Sequence, residues 1–210
     1  MAMLNTNKRG ITLNLKTEKG RELFKELVKR ADIVVENFAP GVMDRLGVGW
    51  SVLHELNPRL IYGSGTGYGL SGPDRDNLAM DVTIQASSGI MSVTGAADGP
   101  PMRAAPPISD LVAGSYAAMG VLAALVRRGR TGQGEEVSTS LTDGMTSMLA
   151  FLATNYFATG QLPQRTGNDH ALASPYGLFE ASDGQIAVAP SNDSFYLKLL
   201  AALDLEHLKD

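Results

Sequence analysis

Two carboxylates stand out in a chain with few other groups able to do chemistry. Asp110 sits at the mouth of the small, apolar run "APPISDLVAGSYAAMG", and Asp81 lies in "NLAMDVTIQASSG". The chain has no cysteine, which removes disulfides, thiol nucleophiles and cysteine-zinc sites together, so any nucleophile is oxygen or nitrogen. Asp110 has two compatible readings. An aspartate opening a helix is a favoured N-cap for the unpaired amides there. It is equally a nucleophile or general base, because the helix dipole and free amides favour its ionised form at neutral pH. Asp81 reads as a first-turn acid, with Ala79, Val82 and Ala86 packed inward, or as the second member of an acid pair. In such a pair one carboxylate attacks while the other positions a proton or water.

Other constellations carry less. His54, His170 and His207 share no metal-ligand spacing, so no metal is expected. No G-x-S-x-G elbow supports a Ser-His-Asp triad. Gly63, Gly65, Gly67, Gly69 and Gly72 lack the dinucleotide spacing and read as an active-site loop or an ordinary turn-rich one. "RRGRTGQG" at 127–134 reads as a helix C-terminus with its cap and turn, around Arg127, Arg128 and Gly129. Ala113, Gly114, Ser115, Ala117, Ala118 and Gly120 would let backbone or ligand approach their helix closely, and close helix packing explains them equally well.

Composition bounds the rest. A chain of 210 residues, 44% hydrophobic and 19% charged, can bury a full core in one or two domains. The net charge is −4 and the basic residues are scattered, which argues against nucleic acid and for a small acidic or neutral ligand. The opening "MAMLNTNKRG" has no apolar h-region, and with the lack of cysteine this points to the cytoplasm. The longest mostly apolar stretch, 111–126, falls short of the ~20 residues a bilayer span needs. It reads as a buried helix, and no membrane partner is expected.

Periodicity then places the elements. "ITLNLK" at 11–16 alternates like a half-buried strand, and a helix follows, with Thr17 as N-cap and Leu23, Phe24, Leu27 and Val28 on one face. "DIVVENF" reads as a strand buried on both sides, short helices fall near 41–46 and 51–56, and "RLIYGSG" is a third strand. This alternation predicts an α/β fold with a Rossmann-like parallel sheet, whose ligands sit in the loops after the strands' carboxyl ends, here 36–41 and 63–73. Helices over 79–92, 110–128 and 141–158 follow, with a short strand "EEVSTS" before the last. Residues 1–158 thus form a partial large domain, 159–175 a linker, and 176–210 the start of a small α+β domain, with a hairpin turning at Asp183-Gly184 and a closing helix. Both ends look cut, since a lone hairpin with one helix makes a poor domain.

Several blocks, in order, resemble the class III CoA-transferases, the family of formyl-CoA transferase, carnitine CoA-transferase and α-methylacyl-CoA racemase. They are "NTNKRGITLNLKTEKGRELFKELVKRADIVVENFAPGVMDRLG", "GYGLSGP", "PISDLVAGSYAAMGVLAAL", "RRGRTGQGEEVSTSL" and "SPYGLFEASDG". The resemblance implies that an aspartate, here Asp110, attacks an acyl-CoA thioester. A mixed anhydride and then an aspartyl-CoA thioester form before a carboxylic acid accepts the coenzyme. Gly67 and Gly69 are candidate amide donors to the developing oxyanion. The resemblance also assigns coenzyme A contacts to Leu13, Asn14, Leu15 and Lys16, to Asn37, Phe38 and Ala39, and to Arg45 on a phosphate, with Asp81 lining the acyl pocket. It implies an interlocked homodimer. Formyl-CoA transferases carry lysine and tyrosine where this chain has Leu78 and Met80, which points to a larger, less polar acyl group than formate or oxalate. The racemases place a histidine where Met80 stands, which disfavours racemisation by a His/Asp pair; α-proton isomerisation is kept as the alternative activity and an inactive binding partner as a third.

Overall fold

The structure, a computed structural model, describes residues 5–209. By packing, the chain falls into two units. One takes the residues up to Ile84 with Pro107–Ser147, and the other takes Gln85–Pro106 with the residues from Met148 on. This partition interleaves segments that the sequence orders as large domain, linker and small domain.

In the first unit α1 (Glu18–Val28) leads into β1 (Ile33–Glu36), and α2 (Val42–Arg45) and α3 (Trp50–Leu56) lead into β2 (Ile61–Thr66). α4 (Asp81–Ser87), which runs on into the second unit, α5 (Ile90–Val93), which lies within the second unit, and the long α6 (Ile108–Thr131) precede β3 (Glu136–Ser140). The strands form a parallel sheet in the order β1-β2-β3, aligning Val35 with Gly63 and Gly65 with Thr139. Parallel neighbours need long crossovers, which these helices supply. Alternation along β2 then serves two cores. Tyr62 joins Val28, Met43, Val48, Leu53 and Leu60 on one face, while Ile61 packs with Val121 and Ala124 of α6 on the other.

Four sequence expectations change here. Residues 11–16 form no strand, because none of the described strands offers them a ladder. Asn14 bends the chain instead, its side-chain oxygen accepting from the Lys16 amide at 3.0 Å and its carbonyl from the Thr17 hydroxyl at 2.9 Å. Thr17 caps α1 as expected, accepting from the Gly20 amide at 3.1 Å, but only Phe24 and Val28 face the core while Leu23 and Leu27 stay exposed. β1 is an edge strand rather than a doubly buried one, and Val35 is 68% exposed. In α4 the inward residues are Ile84 and Gln85, and Val82 and Ala86 face out.

α6 is longer than its sequence pattern, with 24 residues. By length and composition alone it could cross a membrane, so the shortness of the apolar stretch does not decide the matter. Nor is it the buried helix that the sequence suggests, since Ala113, Val121 and Ala124 are buried while Leu111, Met119, Leu122 and Val126 are exposed. The helix also carries charged side chains that hold it to the unit. Its cap is Gly132 at φ +75°, not Gly129, and the Gly132 amide donates to the Arg128 carbonyl at 2.8 Å.

In the second unit, Gly89 at φ +88° directly precedes α5, and α8 (Ala150–Thr159) follows in sequence after α7 (Leu141–Met148), nearly all of which belongs to the first unit. β4 (Gly177–Ala181) and β5 (Gly184–Val188) form the antiparallel hairpin, and α9 (Asp193–Ala202) follows it. Its register pairs Ala181 with Gly184, so Ser182 and Asp183 make the turn and Gly184 already belongs to the strand.

One side chain ties the sheet to α6. Arg128 is buried and donates to the Asp32 carbonyl at 3.1 Å, the Arg59 carbonyl at 2.9 Å and the Asp32 carboxylate at 2.8 Å. Those carbonyls stand just before β1 and β2, so one guanidinium satisfies the starts of both strands. Arg128→Ala is expected to destabilise the protein by about 2–4 kcal/mol, through carbonyls left without their charged donor. Arg128→Lys should recover less than half of that, because an ammonium lacks the fork. Urea unfolding of both variants checks this.

Candidate active site

A cleft of about 580 Å³ opens where parallel α/β sheets place their ligands, at the carboxyl ends of the strands. The loop after β1 contributes Asn37, Phe38 and Ala39, and the end of β2 contributes Gly63, Gly65 and Gly67. α6 faces them with Asp110, Ala113, Gly114 and Ala117. The spacing of these four puts them on one face of a helix, which is why a stretch that reads as merely apolar forms a wall.

The small residues of α6 divide by position. A Cβ on Gly120 would meet Val137 Cγ1 at 2.6 Å, so that glycine serves close packing on β3. A Cβ on Gly114 would meet nothing within 4 Å, so that glycine leaves the cleft open. Both explanations offered by the sequence hold, the cleft-side one in the first half of the helix and the packing one at its middle.

Asp110 is the third residue of α6 and does not cap it. The cap comes from elsewhere, because Asp81 Oδ1 accepts from the Ser109 amide at 3.1 Å and from the Ser109 hydroxyl at 2.9 Å. Among the described residues no hydrogen bond is made to the Asp110 carboxylate. Partial burial, and secondarily the negative charge of Asp81, hold its pKa above the usual aspartate value. The sequence expectation was the reverse, a carboxylate kept ionised by helix amides. The desolvation of the cleft and the second acid outweigh the amides, one of which Asp81 occupies.

The remaining candidates divide by place. Asn37, Phe38 and Ala39 line the cleft with Asp110, and the Phe38 amide donates to Glu36 Oε2 at 2.8 Å, which sets the loop. Gly67 lines it too, packed so tightly on Ala79 that a Cβ there would clash, and its carbonyl accepts from the Thr142 amide at 3.1 Å and hydroxyl at 3.0 Å. Gly69 does not line it. Its amide donates to Thr66 Oγ1 at 3.0 Å, so it is not available to an oxyanion. Leu13, Asn14, Leu15 and Lys16 lie outside the cleft, in the turn before α1, where Arg21 donates to the Lys16 carbonyl at 3.0 Å. Arg45 also stands outside the cleft, donating to the Pro40 carbonyl at 3.5 Å and so backing the loop that carries Phe38. Asp81 is not on the cleft wall, although Leu78 and Ala79 are.

Sequence reasoning missed Glu36 and Thr139. Thr139 Oγ1 is buried in the cleft wall without a hydrogen-bond partner, a cost normally offset by a ligand or water. A threonine in an alternating strand carries no signal beyond strand propensity. Glu36 and Asp110 are the charged residues that line the cleft, so its charge is negative. This suits the neutral thioester end of a ligand better than a phosphate. Among the described residues no group of three or more histidine, aspartate or glutamate side chains is arranged to hold a metal.

Known proteins are similar to this chain in sequence and fold. The chain is 41% identical over 207 residues to an acyl-CoA transferase of Fusarium pseudograminearum, covering 99% of this chain and 45% of that protein. It is 42% identical over 199 residues to the acetyl-CoA:oxalate CoA-transferase of Acetobacter aceti, covering 94% and 51%. Among solved structures, a CaiB/BaiF family protein from Brucella suis superimposes with a TM-score of 0.84 at 40% identity, covering 98% of this chain and 55% of that one. The chain spans about half the length of the curated relatives it matches. The description CoA-transferase family III fits residues 1–210, and with a fold shared with a CaiB/BaiF family protein the chain belongs to that family.

Proposed function

We propose that the intact protein transfers coenzyme A from an acyl-CoA to a carboxylic acid, with Asp110 as the nucleophile. One observation carries the reading: a carboxylate without a hydrogen bond faces a negatively charged, small-residue cleft at the carboxyl ends of a parallel sheet. The Asp110 carboxylate attacks the thioester carbonyl, the C–S bond breaks, and coenzyme A leaves as thiolate. The thiolate then attacks the aspartyl carbonyl of the anhydride, releasing the first acid as carboxylate and leaving an aspartyl-CoA thioester. The acceptor carboxylate attacks that thioester, and the thiolate returns to the acceptor's carbonyl, giving the new acyl-CoA and free Asp110. No cofactor beyond coenzyme A itself enters the balance.

Coenzyme A is an elongated ligand, so its thioester end in the cleft is compatible with a nucleotide end outside it, at Lys16 and Arg45. Asn37, Phe38 and Ala39 then lie along the intervening arm. Gly67 remains the candidate oxyanion support and Gly69 does not, because its amide is engaged. Relatives named for acetyl-CoA with oxalate and for succinyl-CoA with mesaconate support CoA transfer in general. A relative named for oxalate gives no support to the expectation, drawn from Leu78 and Met80, that oxalate is excluded. The α-proton reading has weaker support, since among the described residues no histidine lines the cleft to partner Asp110. A cytoplasmic homodimer remains part of the proposal through the family resemblance.

Asp110→Ala is expected to lower exchange by ~10³-fold or more and to abolish the hydroxylamine-trapped adduct at position 110. Full exchange by that variant would remove the assignment.

The upward shift at Asp110 makes a pH prediction. The nucleophile is the charged form, so kcat/KM falls as pH drops through a midpoint above the usual aspartate range. Folding raises this pKa, so the ionised side chain weakens the fold above that midpoint, and the penalty disappears as pH falls below it. Asp110→Asn is therefore expected to be inactive yet at least as stable as the parent at neutral pH, with any advantage lost on acidification. Thermal melts across pH check the sign.

Gly114→Leu places a side chain into open space and leaves helix packing intact. It is expected to raise KM for acyl-CoA by about tenfold with an unchanged or higher Tm, glycine being the poorer helix former. An unchanged KM would show that substrate does not pass this wall.

A further inference from the structure

We propose that Asp81 is a positioning residue that clamps the start of α6 and so fixes where Asp110 presents its carboxylate, rather than a second reacting acid. The inference rests on the reading of Asp110 as the group that reacts.

The geometry separates the two acids by task. Asp81 is the first residue of α4, and its Oδ1 accepts from both the amide and the hydroxyl of Ser109, 28 positions along the chain. Ser109 is fully buried and directly precedes Asp110. A helix start has four amides without partners inside the helix, and the usual remedy is a side chain just before them. α6 has Pro107 there, which offers no side-chain bond. Without Asp81 the Ser109 amide and hydroxyl would lose a shared, charge-assisted acceptor, and the first turn would be free to fray. Fraying moves Asp110 directly, because it is part of that turn. The oxygen that does this work is held by two donors and lies off the cleft wall, whereas Asp110 lies on it.

The same clamp sets a charge beside the nucleophile. Asp81 approaches from α4, Glu36 lines the cleft from the end of β1, and among the described residues no lysine, arginine or histidine lines it. The Asp81 charge adds to burial in raising the pKa of Asp110, and the helix amides oppose both. A more basic carboxylate is a better nucleophile as long as it is ionised, so the clamp acts on reactivity as well as on position.

The test uses the intact protein with carbon-13 in the aspartate carboxyls, the Asp110 signal being assigned through Asp110→Asn. Asp81→Asn keeps an oxygen acceptor for Ser109 and removes the charge. It should shift the Asp110 titration midpoint downward, move the acid limb of kcat/KM the same way, and retain exchange within about tenfold. Asp81→Ala removes both, and its kcat should fall well below that of Asp81→Asn. Ser109→Ala keeps the charge and should leave the midpoint in place. An unmoved Asp110 midpoint in Asp81→Asn overturns the proposal, as does an Asp81→Asn enzyme as inactive as Asp110→Ala, which would make Asp81 a reacting acid. If Asp81→Ala does not fold, the asparagine variant and its titration still decide. Absence of an adduct at Asp110 would overturn the transferase reading instead, and the titration would still report on the clamp.

Discussion

A helix start needs acceptors for its first amides, and in α6 the acceptor is supplied by another helix. Because Asp81 takes the Ser109 amide and hydroxyl, Asp110 has no capping duty. An aspartate that capped its own helix would have its oxygens directed back at the backbone and stabilised there, which makes a poor nucleophile. Released from that role, the carboxylate points into the cleft, and its ionised form is disfavoured rather than favoured. Position and reactivity thus have one origin.

The rest of the first unit brings that helix end to the sheet. Gly120 lets α6 approach β3 until a methyl group would collide with Val137, and Arg128 fixes the other end to the starts of β1 and β2. With its C-terminal half held so closely, the N-terminal half lies over the carboxyl ends of the strands. There Gly114 and Ala117 leave space where larger residues would fill it. The same residue types therefore close one part of the interface and open the next, according to what stands opposite.

Much of this was legible from the residues. The alternation of strands and helices gave the parallel sheet, and the loops after β1 and β2 were the right places to look. Asn37, Phe38, Ala39, Gly67 and Asp110 do share one cleft. What sequence could not supply was the partner of each group. Residues 11–16 alternate as a strand would, but a strand exists only against a neighbour, and none of the described strands pairs with it. Gly69 is a flexible glycine in the right loop, yet its amide already has an acceptor in Thr66. Asp110 has the composition of an N-cap, and only the distant Asp81 shows that it is not one. Thr139 looks like a common strand residue until its buried hydroxyl proves to have no partner. In each case local preference was read correctly, and a long-range contact decided the outcome.

The charge of the cleft sets a final constraint on any ligand. Glu36 and Asp110 make it negative, and a carboxylic acid must still enter it as a carboxylate if exchange is to occur. Two carboxylates close together resist ionising at once, so on the proposed mechanism the acceptor meets less repulsion once Asp110 has lost its charge. Conversion to an anhydride or a thioester does that, since both derivatives are neutral at the aspartyl carbonyl. The covalent route therefore does more than divide one difficult exchange into easier steps. Under the proposed mechanism it also removes one of the two charges that repel the acceptor, Glu36 keeping its own, and it does so only after a donor has been used, so electrostatics in this cleft favours donor before acceptor.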